Sequence, residues 1–536
     1  MTTENEPMKN YFNLYDLSQK VNYKIEILSG LTVAIALVPE AIAFALLAGL
    51  SPLTGLYAAF SIGLVTSILG GRPGMISGAT GAIAVVFVGM ILEMKETIID
   101  LDSDSIVQYI FATVILAGVL QMLVGFLRLG KFIRLVPHSV MFGFVNGLAI
   151  VIFMAQLDQF KFKLPDGTKE WMVGTPLMIM LGLVLLTMLI IWGLPKLTKA
   201  VPSGLVAIIV IASITLGFGI DTSTVKDTLD GGTIAAGLPT FSIPMIPFTW
   251  ETLSIIFPYA VIVAAVGLIE SLLTLNLIDE ITQTRGRGNK ECVAQGAANI
   301  FTGFLGGMGG CAMIGQSLIN ISSGARARLS GIVASVGLLM FILFGSALVE
   351  QLPMAALTGL MIMVAIGTFE WASLKTFNKM PLTDIIVMLV VMLITVVFHN
   401  LALAVLAGVI ISALAFSWEN ATRIRARKRL DENGVKHYEI YGPLFFGSVG
   451  VFNEKFDIEN DPKEIVINFM ESRVVDMSAI EGLNKLTELY EEKGKKVVLR
   501  HLSPDCRQLL KNAEKIIDVN VDEDPTYKVM ADALSN

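Results

Sequence analysis

Leu268-Ile269-Glu270-Ser271-Leu272-Leu273-Thr274 sets a carboxylate inside an otherwise apolar helical stretch. Phe304-Leu305-Gly306-Gly307-Met308-Gly309-Gly310-Cys311-Ala312-Met313-Ile314-Gly315-Gln316-Ser317 follows it with a helix-breaking run inside a second apolar segment. Met75-Ile76-Ser77-Gly78-Ala79-Thr80-Gly81-Ala82 is an N-terminal counterpart of that run. In a bilayer an ionisable side chain and unpaired backbone are each costly, and both must find a partner or line a polar cavity. The pattern predicts a binding site built from two interrupted helices near the midplane, as in secondary transporters.

The rest of the chain agrees with a polytopic membrane protein. Of 536 residues, 54% are hydrophobic and 16% charged, with a mean hydropathy of +0.70, outside the range of soluble domains. Apolar runs of roughly 18 to 22 residues recur, each long enough to cross a ~30 Å hydrocarbon core. The net charge of −7 divides between basic loops and an acidic C-terminal region, so it reports topology and a separate soluble domain rather than an acidic partner. Cys292, Cys311 and Cys506 form no CxxC pair, which argues against a disulfide framework or structural zinc. The first 20 residues lack a basic n-region followed by an apolar core, so no cleavable signal peptide is expected. Nothing supports nucleic-acid binding.

Four regions are expected: a cytoplasmic N-terminal segment over 1–23, a transmembrane domain over 24–418, a basic linker over 419–436 and a soluble domain over 437–536. The N-terminal segment spaces Tyr11, Phe12, Leu14, Tyr15 and Leu17 as an interfacial helix would. About fourteen apolar segments follow, two of them short, in what reads as a seven-plus-seven inverted repeat: Glu40 and Glu270 each precede a Gly/Ser/Thr-rich break. An even count places both termini on one side. The clusters Arg128, Lys131 and Arg134, then Arg285, Arg287 and Lys290, then Arg326 and Arg328, and then Arg423 to Arg429 put that side in the cytoplasm of a cell with an inner membrane. The last cluster suits anionic lipid headgroups. Beyond it Tyr438–Tyr441, Glu464–Phe469 and Lys496–Leu499 read as strands and Ser478–Glu492 and Ser503–Ala513 as helices, a small α/β domain.

No residue is assigned a catalytic role, and the chain is read as a transporter rather than an enzyme. Glu270 is the leading coupling-ion position, since an isolated membrane carboxylate is functional by default. It reads either as a protonatable group or as an oxygen ligand for Na⁺; no cofactor or other metal is expected. Thr274 lies four residues on, on the same helix face, and would add a hydroxyl. The alternative is a carboxyl held by a buried partner for packing. Thr80-Gly81-Ala82 and Gly315-Gln316-Ser317 are the expected starts of two half-helices. Their unpaired N–H groups and the positive end of each helix dipole would bind an anion without any lysine. Those glycines also suit close helix packing alone. Glu40, beside Pro39, would repel an anion unless protonated or paired, and so favours cation-coupled entry if it faces the same cavity.

These residues resemble the SulP family of inorganic anion transporters, relatives of sulfate permeases. The likeness spans nearly the whole chain: 39–57, opening Pro39-Glu40-Ala41-Ile42; then 267–279, continuing to 289–299; and a tail with Gly442-Pro443-Leu444-Phe445-Phe446 and Val475-Asp476-Met477-Ser478-Ala479-Ile480 that resembles a STAS domain. The resemblance implies a fourteen-helix inverted repeat with core and gate domains, usually a homodimer, working by elevator-like movement. It places the anion between the starts of the third and tenth helices and the coupling carboxylate on Glu270. Ser478 falls where a STAS domain carries its phosphoacceptor-like serine, although a plain helix N-cap explains a serine there equally well. Two residues depart from the family pattern, Gln316 in place of an arginine common in animal and plant members and Glu40 in place of glutamine. Both make the site less cationic, which favours coupled uptake over chloride exchange.

The leading expectation is therefore a Na⁺- or H⁺-coupled importer of bicarbonate or sulfate in a bacterial inner membrane. A C4-dicarboxylate is the alternative substrate. A membrane sensor that binds an anion and signals through the STAS domain to a cytoplasmic partner is the alternative class, and a nucleobase permease is disfavoured by the STAS tail.

Overall fold

The computed structural model describes residues 22–97, 103–130, 136–163, 169–198, 202–228, 237–345, 349–398, 401–502, 506, 508–509 and 522–523. The expected interfacial helix within 1–23, the basic residues Lys131 and Arg134, and most of the expected helix Ser503–Ala513 lie outside these residues. Two compact units emerge, Met1–Val409 and Ile410–Asn536.

The first unit is helical because its sequence is a succession of apolar runs, in which every main-chain polar group must be satisfied within its own segment. Its elements are α1 (Tyr23–Leu47), α2 (Pro52–Leu69), β1 (Ser77–Gly78), α3 (Gly81–Thr97), α4 (Ser103–Phe126), α5 (His138–Gln156), β2 (Lys161–Lys163), β3 (Lys169–Trp171), α6 (Thr175–Leu197), α7 (Ser203–Phe218), α8 (Trp250–Thr282), α9 (Gly288–Phe304), β4 (Cys311–Ala312), α10 (Ile314–Ser322), α11 (Leu329–Phe344), α12 (Met354–Thr368) and α13 (Leu382–Phe398), and α14 (Leu401–Thr422) runs on into the second unit. Among the described residues eight helices are long and apolar enough to cross a bilayer, and three shorter ones are equally apolar. Starts and stops follow local chemistry. Asn22 caps α1 by accepting from the Ile25 N–H at 3.3 Å, and Pro52 opens α2 at a position that has no need of an N–H.

Helices of this unit pack in two sets. α1, α2, α4, α8, α9 and α11 lie against one another, and α5, α6, α7, α12 and α13 form the other set. Glycines set the closest approaches: a Cβ on Gly296 would lie 2.5 Å from the Gly118 carbonyl oxygen, so α4 and α9 cross main chain to main chain. The short α10, nine residues long, cannot span a bilayer and ends inside the first set.

The second unit holds a five-stranded sheet of order β5 (Arg425–Leu430), β6 (Lys436–Leu444), β7 (Glu464–Val474), β8 (Lys496–Arg500) and β9 (Asp522–Glu523). β5 and β6 are an antiparallel hairpin, whereas β6, β7, β8 and β9 run parallel. α15 (Val449–Asn453) and α16 (Met477–Glu492) connect them, and Tyr438, Phe452, Phe469, Ile480 and Leu483 fill the core between sheet and helices. Two expectations are corrected here. Arg425 to Leu430 is a paired strand rather than a linker, because the turn at Asp431 to Gly434 folds it back onto β6. Asp476, not Ser478, caps α16, its carboxylate accepting from the Ala479 N–H at 2.9 Å while Ser478 is exposed in the first turn.

Candidate functional site

The two glycine-rich breaks meet. β1 and β4 pair antiparallel, Ser77 opposite Ala312 and Gly78 opposite Cys311. Only glycine permits this approach, since a Cβ on Gly310 would lie 1.9 Å from the Gly78 carbonyl oxygen. Each two-residue strand leads within three residues into a helix, α3 or α10, so both helices start beside the crossing. Ser317 ties the second helix to the first break: its hydroxyl accepts from the Ile76 N–H at 2.9 Å and reaches the Ile76 carbonyl at 3.2 Å. The Met313 N–H adds a second bond to that carbonyl, at 2.9 Å.

Around this crossing stand the residues expected to form the site. Thr80 and Ala82 are buried, and α3 starts at Gly81, against which the Phe44 ring of α1 packs. At the start of α10 the N-cap is Met313, which offers no side-chain oxygen to the first N–H groups. Gly315 faces open space, with nothing within 4 Å of where its Cβ would be. Gln316 is buried; its Nε2 donates to Glu40 Oε1 at 2.9 Å, while its own Oε1 has no hydrogen-bond partner among the described residues. Glu40 is thus held beside the start of α10.

Glu270 reaches the same crossing from α8. The Cys311 thiol donates to Glu270 Oε2 at 2.6 Å, and Thr80 Oγ1 lies 3.3 Å from the same sulfur. A chain of polar contacts therefore links α3, β4 and α8. Ser271, next on α8, accepts from the Ala312 N–H at 3.1 Å. Thr274 is fully buried, and its hydroxyl donates to the Glu270 main-chain carbonyl at 2.8 Å, leaving only lone pairs for an ion. Ser478 belongs to the second unit.

Sequence reasoning passed over the groups that hold β4 in place. Asn299 accepts from the Gly310 N–H at 3.0 Å, donates to the Gly310 carbonyl at 3.1 Å and bonds Gln121 Oε1 at 2.8 Å; Gln295 donates to the same carbonyl at 2.9 Å. Uncharged amides inside apolar helices were the available signal, because buried amides need partners. Cys311 carried no such signal. A separate cavity of about 430 Å³ lies between the two helix sets, walled by Leu47, Val85, Val151, Met154, Leu357 and Met361 among others; neither Gln316 nor Glu270 lines it.

Comparison with known proteins places most of the chain. Residues 24–386 match the sulfate permease family and 429–533 match the STAS domain. A putative sulfate transporter of Bacillus subtilis is 44% identical over 490 residues, covering 91% of this chain and 97% of that protein. The bicarbonate transporter BicA of Picosynechococcus is 28% identical over 521 residues, 91% of this chain and 90% of that one. Among solved structures, the transmembrane domain of a cyanobacterial BicA matches with a TM-score of 0.62 at 28% identity, covering 74% of this chain and 98% of that domain. Murine Slc26a9, an anion transporter captured facing inward, matches at 0.79 and 19% identity over 97% of this chain and 94% of that one, a likeness of fold. With its membrane unit and its tail both matched, the chain belongs to the sulfate permease family and carries a STAS domain.

Proposed function

We propose that the chain is a secondary active transporter that imports an inorganic oxyanion, bicarbonate or sulfate, coupled to Na⁺ or H⁺. The observation that carries this reading is the β1–β4 crossing, which brings two helix starts together and sets Glu270 against them through Cys311. Helix-start N–H groups, with Gly315 open beside them, provide for an anion. A carboxylate in contact with that crossing provides for a cation, so that the two solutes meet within a few bonds of each other. The names of the relatives point to the same substrate class. In this reading the set containing α1 and α8 carries the site past the set containing α5 and α12, as an elevator would, in a homodimer of an inner membrane with both termini in the cytoplasm.

The test is uptake of labelled bicarbonate and of labelled sulfate into proteoliposomes under an imposed Na⁺ gradient or an imposed pH gradient. Accumulation of one anion under one gradient supports the proposal and names both solutes. Binding without accumulation of either anion under either gradient would overturn it in favour of a sensor.

A further inference from the structure

The segment that joins the last apolar helix to the sheet carries chemistry that anion transport does not use. α14 leaves Leu414, Phe416 and Trp418 exposed in its last turns and ends at Thr422. An exposed tryptophan near the end of an apolar span marks the level of lipid headgroups. Within three residues the chain enters β5, which reads Arg425-Ala426-Arg427-Lys428-Arg429-Leu430 and forms one edge of the sheet.

Strand alternation sorts these cations. Ala426 packs against the buried core, and the Lys428 ammonium lies 5.4 Å from the centre of the Tyr438 ring, so positions 426 and 428 belong to the core side. Arg425, Arg427 and Arg429 therefore share the opposite face, about 6.6 Å apart along the strand. All three are exposed. Among the described residues no carboxylate forms an ion pair with them. Glu439 stands opposite Arg427 in the register, but accepts from the Tyr441 hydroxyl at 3.4 Å. Asp431 meets His437 at 3.2 Å, and Arg423, before the strand, is paired with Glu419 at 3.0 Å.

We propose that this arginine row docks on anionic phospholipid headgroups, seating the edge of the STAS sheet on the membrane beside the point where α14 leaves it. Guanidinium groups bind phosphate through paired N–H donors, and a row at fixed spacing presents three of them to one surface. The occupant is a membrane rather than a soluble anion because the row begins three residues after a bilayer-crossing helix ends. A cationic edge strand also discourages strand-to-strand aggregation, a role indifferent to lipid composition.

The experiment places a donor dye at Asn433→Cys, in the exposed β5–β6 turn; the native Cys292, Cys311 and Cys506 are buried and do not compete for label. The full chain is reconstituted in phosphatidylcholine vesicles, with or without phosphatidylglycerol, that contain an acceptor-labelled lipid headgroup. Energy transfer should rise with phosphatidylglycerol and fall as salt screens the surface. Substituting Arg425, Arg427 and Arg429 together by Gln should abolish that rise, whereas the triple Lys variant should retain it. Arg427→Gln alone should weaken the lipid response by about fivefold in membrane partition. Amide exchange across β5 and β6 checks that the variants keep the strand pairing. Transfer that ignores phosphatidylglycerol in the parent chain, or a lipid response unchanged in the triple Gln variant, would overturn the proposal. So would loss of the response on adding inorganic phosphate at constant ionic strength, which would assign the row to a soluble anion.

Discussion

At Glu270 one carboxylate oxygen receives the Cys311 thiol, and that sulfur in turn meets Thr80. The carboxylate is thereby fixed against the helix starts instead of swinging along α8. Glu270→Gln keeps the shape of the side chain but neither ionises nor binds a cation strongly. It should reduce uptake to the level seen without a gradient while the yield of folded protein is maintained; gradient-driven accumulation in this variant would remove Glu270 from coupling. Cys311→Ala removes the donor and should cost about 1–3 kcal/mol, read as a fall in melting temperature, because a buried acceptor loses its partner. Cys311→Ser keeps a donor and should recover most of that loss. Equal melting temperatures for Ala and Ser would mean that the thiol contact contributes nothing.

At the level of elements, the crossing separates residues that build the site from residues that line it. A Cβ on Gly310 collides with the main chain of Gly78, which no rotamer relieves, so Gly310→Ala should destabilise by about 3 kcal/mol and abolish uptake. Gly315→Ala meets nothing, so it should leave the melting temperature unchanged while its methyl occupies space at the start of α10 and raises the KM for the anion several-fold. Unaltered anion kinetics in Gly315→Ala would move the substrate away from α10. The helices and the breaks between them were legible in the sequence, because apolar length and glycine content are local properties. Pairing of Gly78 with Cys311 and the bonds from Asn299 to Gly310 were not, because nothing local in an amide or a thiol names its partner. The basic run at 425–430 misled for a related reason: its composition suits solvent, and only the hairpin turn at Asp431 makes it a strand.

At the scale of the whole molecule, the tail has its own polar lock. Asp461, buried, accepts from Tyr438 at 2.6 Å, from Tyr490 at 2.5 Å and from Lys436. Burial acts to raise the pKa of this carboxyl, but the hydrogen bonds from Lys436, Tyr438 and Tyr490 outweigh it and hold Asp461 below its ordinary value. A carboxylate with a depressed folded value stabilises the fold above its unfolded value, about 3.9, and loses that contribution as pH falls through the folded one. Amide protection in β6 and α16 of the full chain, corrected for intrinsic exchange, should therefore decline below about pH 4. Asp461→Asn should flatten that decline and lower protection at neutral pH by about 1–3 kcal/mol. An acid limb identical to the parent's would assign it to other carboxylates.

The first helix is fastened to a much later one. Glu26 accepts from the N–H groups of Arg326 at 2.7 Å, Ala327 at 2.9 Å and Ser330 at 3.0 Å, and the Ser29 hydroxyl bonds Asn320 Oδ1 at 2.6 Å. Those partners are separated by about 300 residues of chain. A ribosome making 5–20 residues per second needs roughly 15–60 s to supply them. During that interval Glu26 has no Arg326, Ala327 or Ser330 N–H to accept from, because those residues are not yet made. A chain stalled before Arg326 would therefore hold its first helix without this fastening.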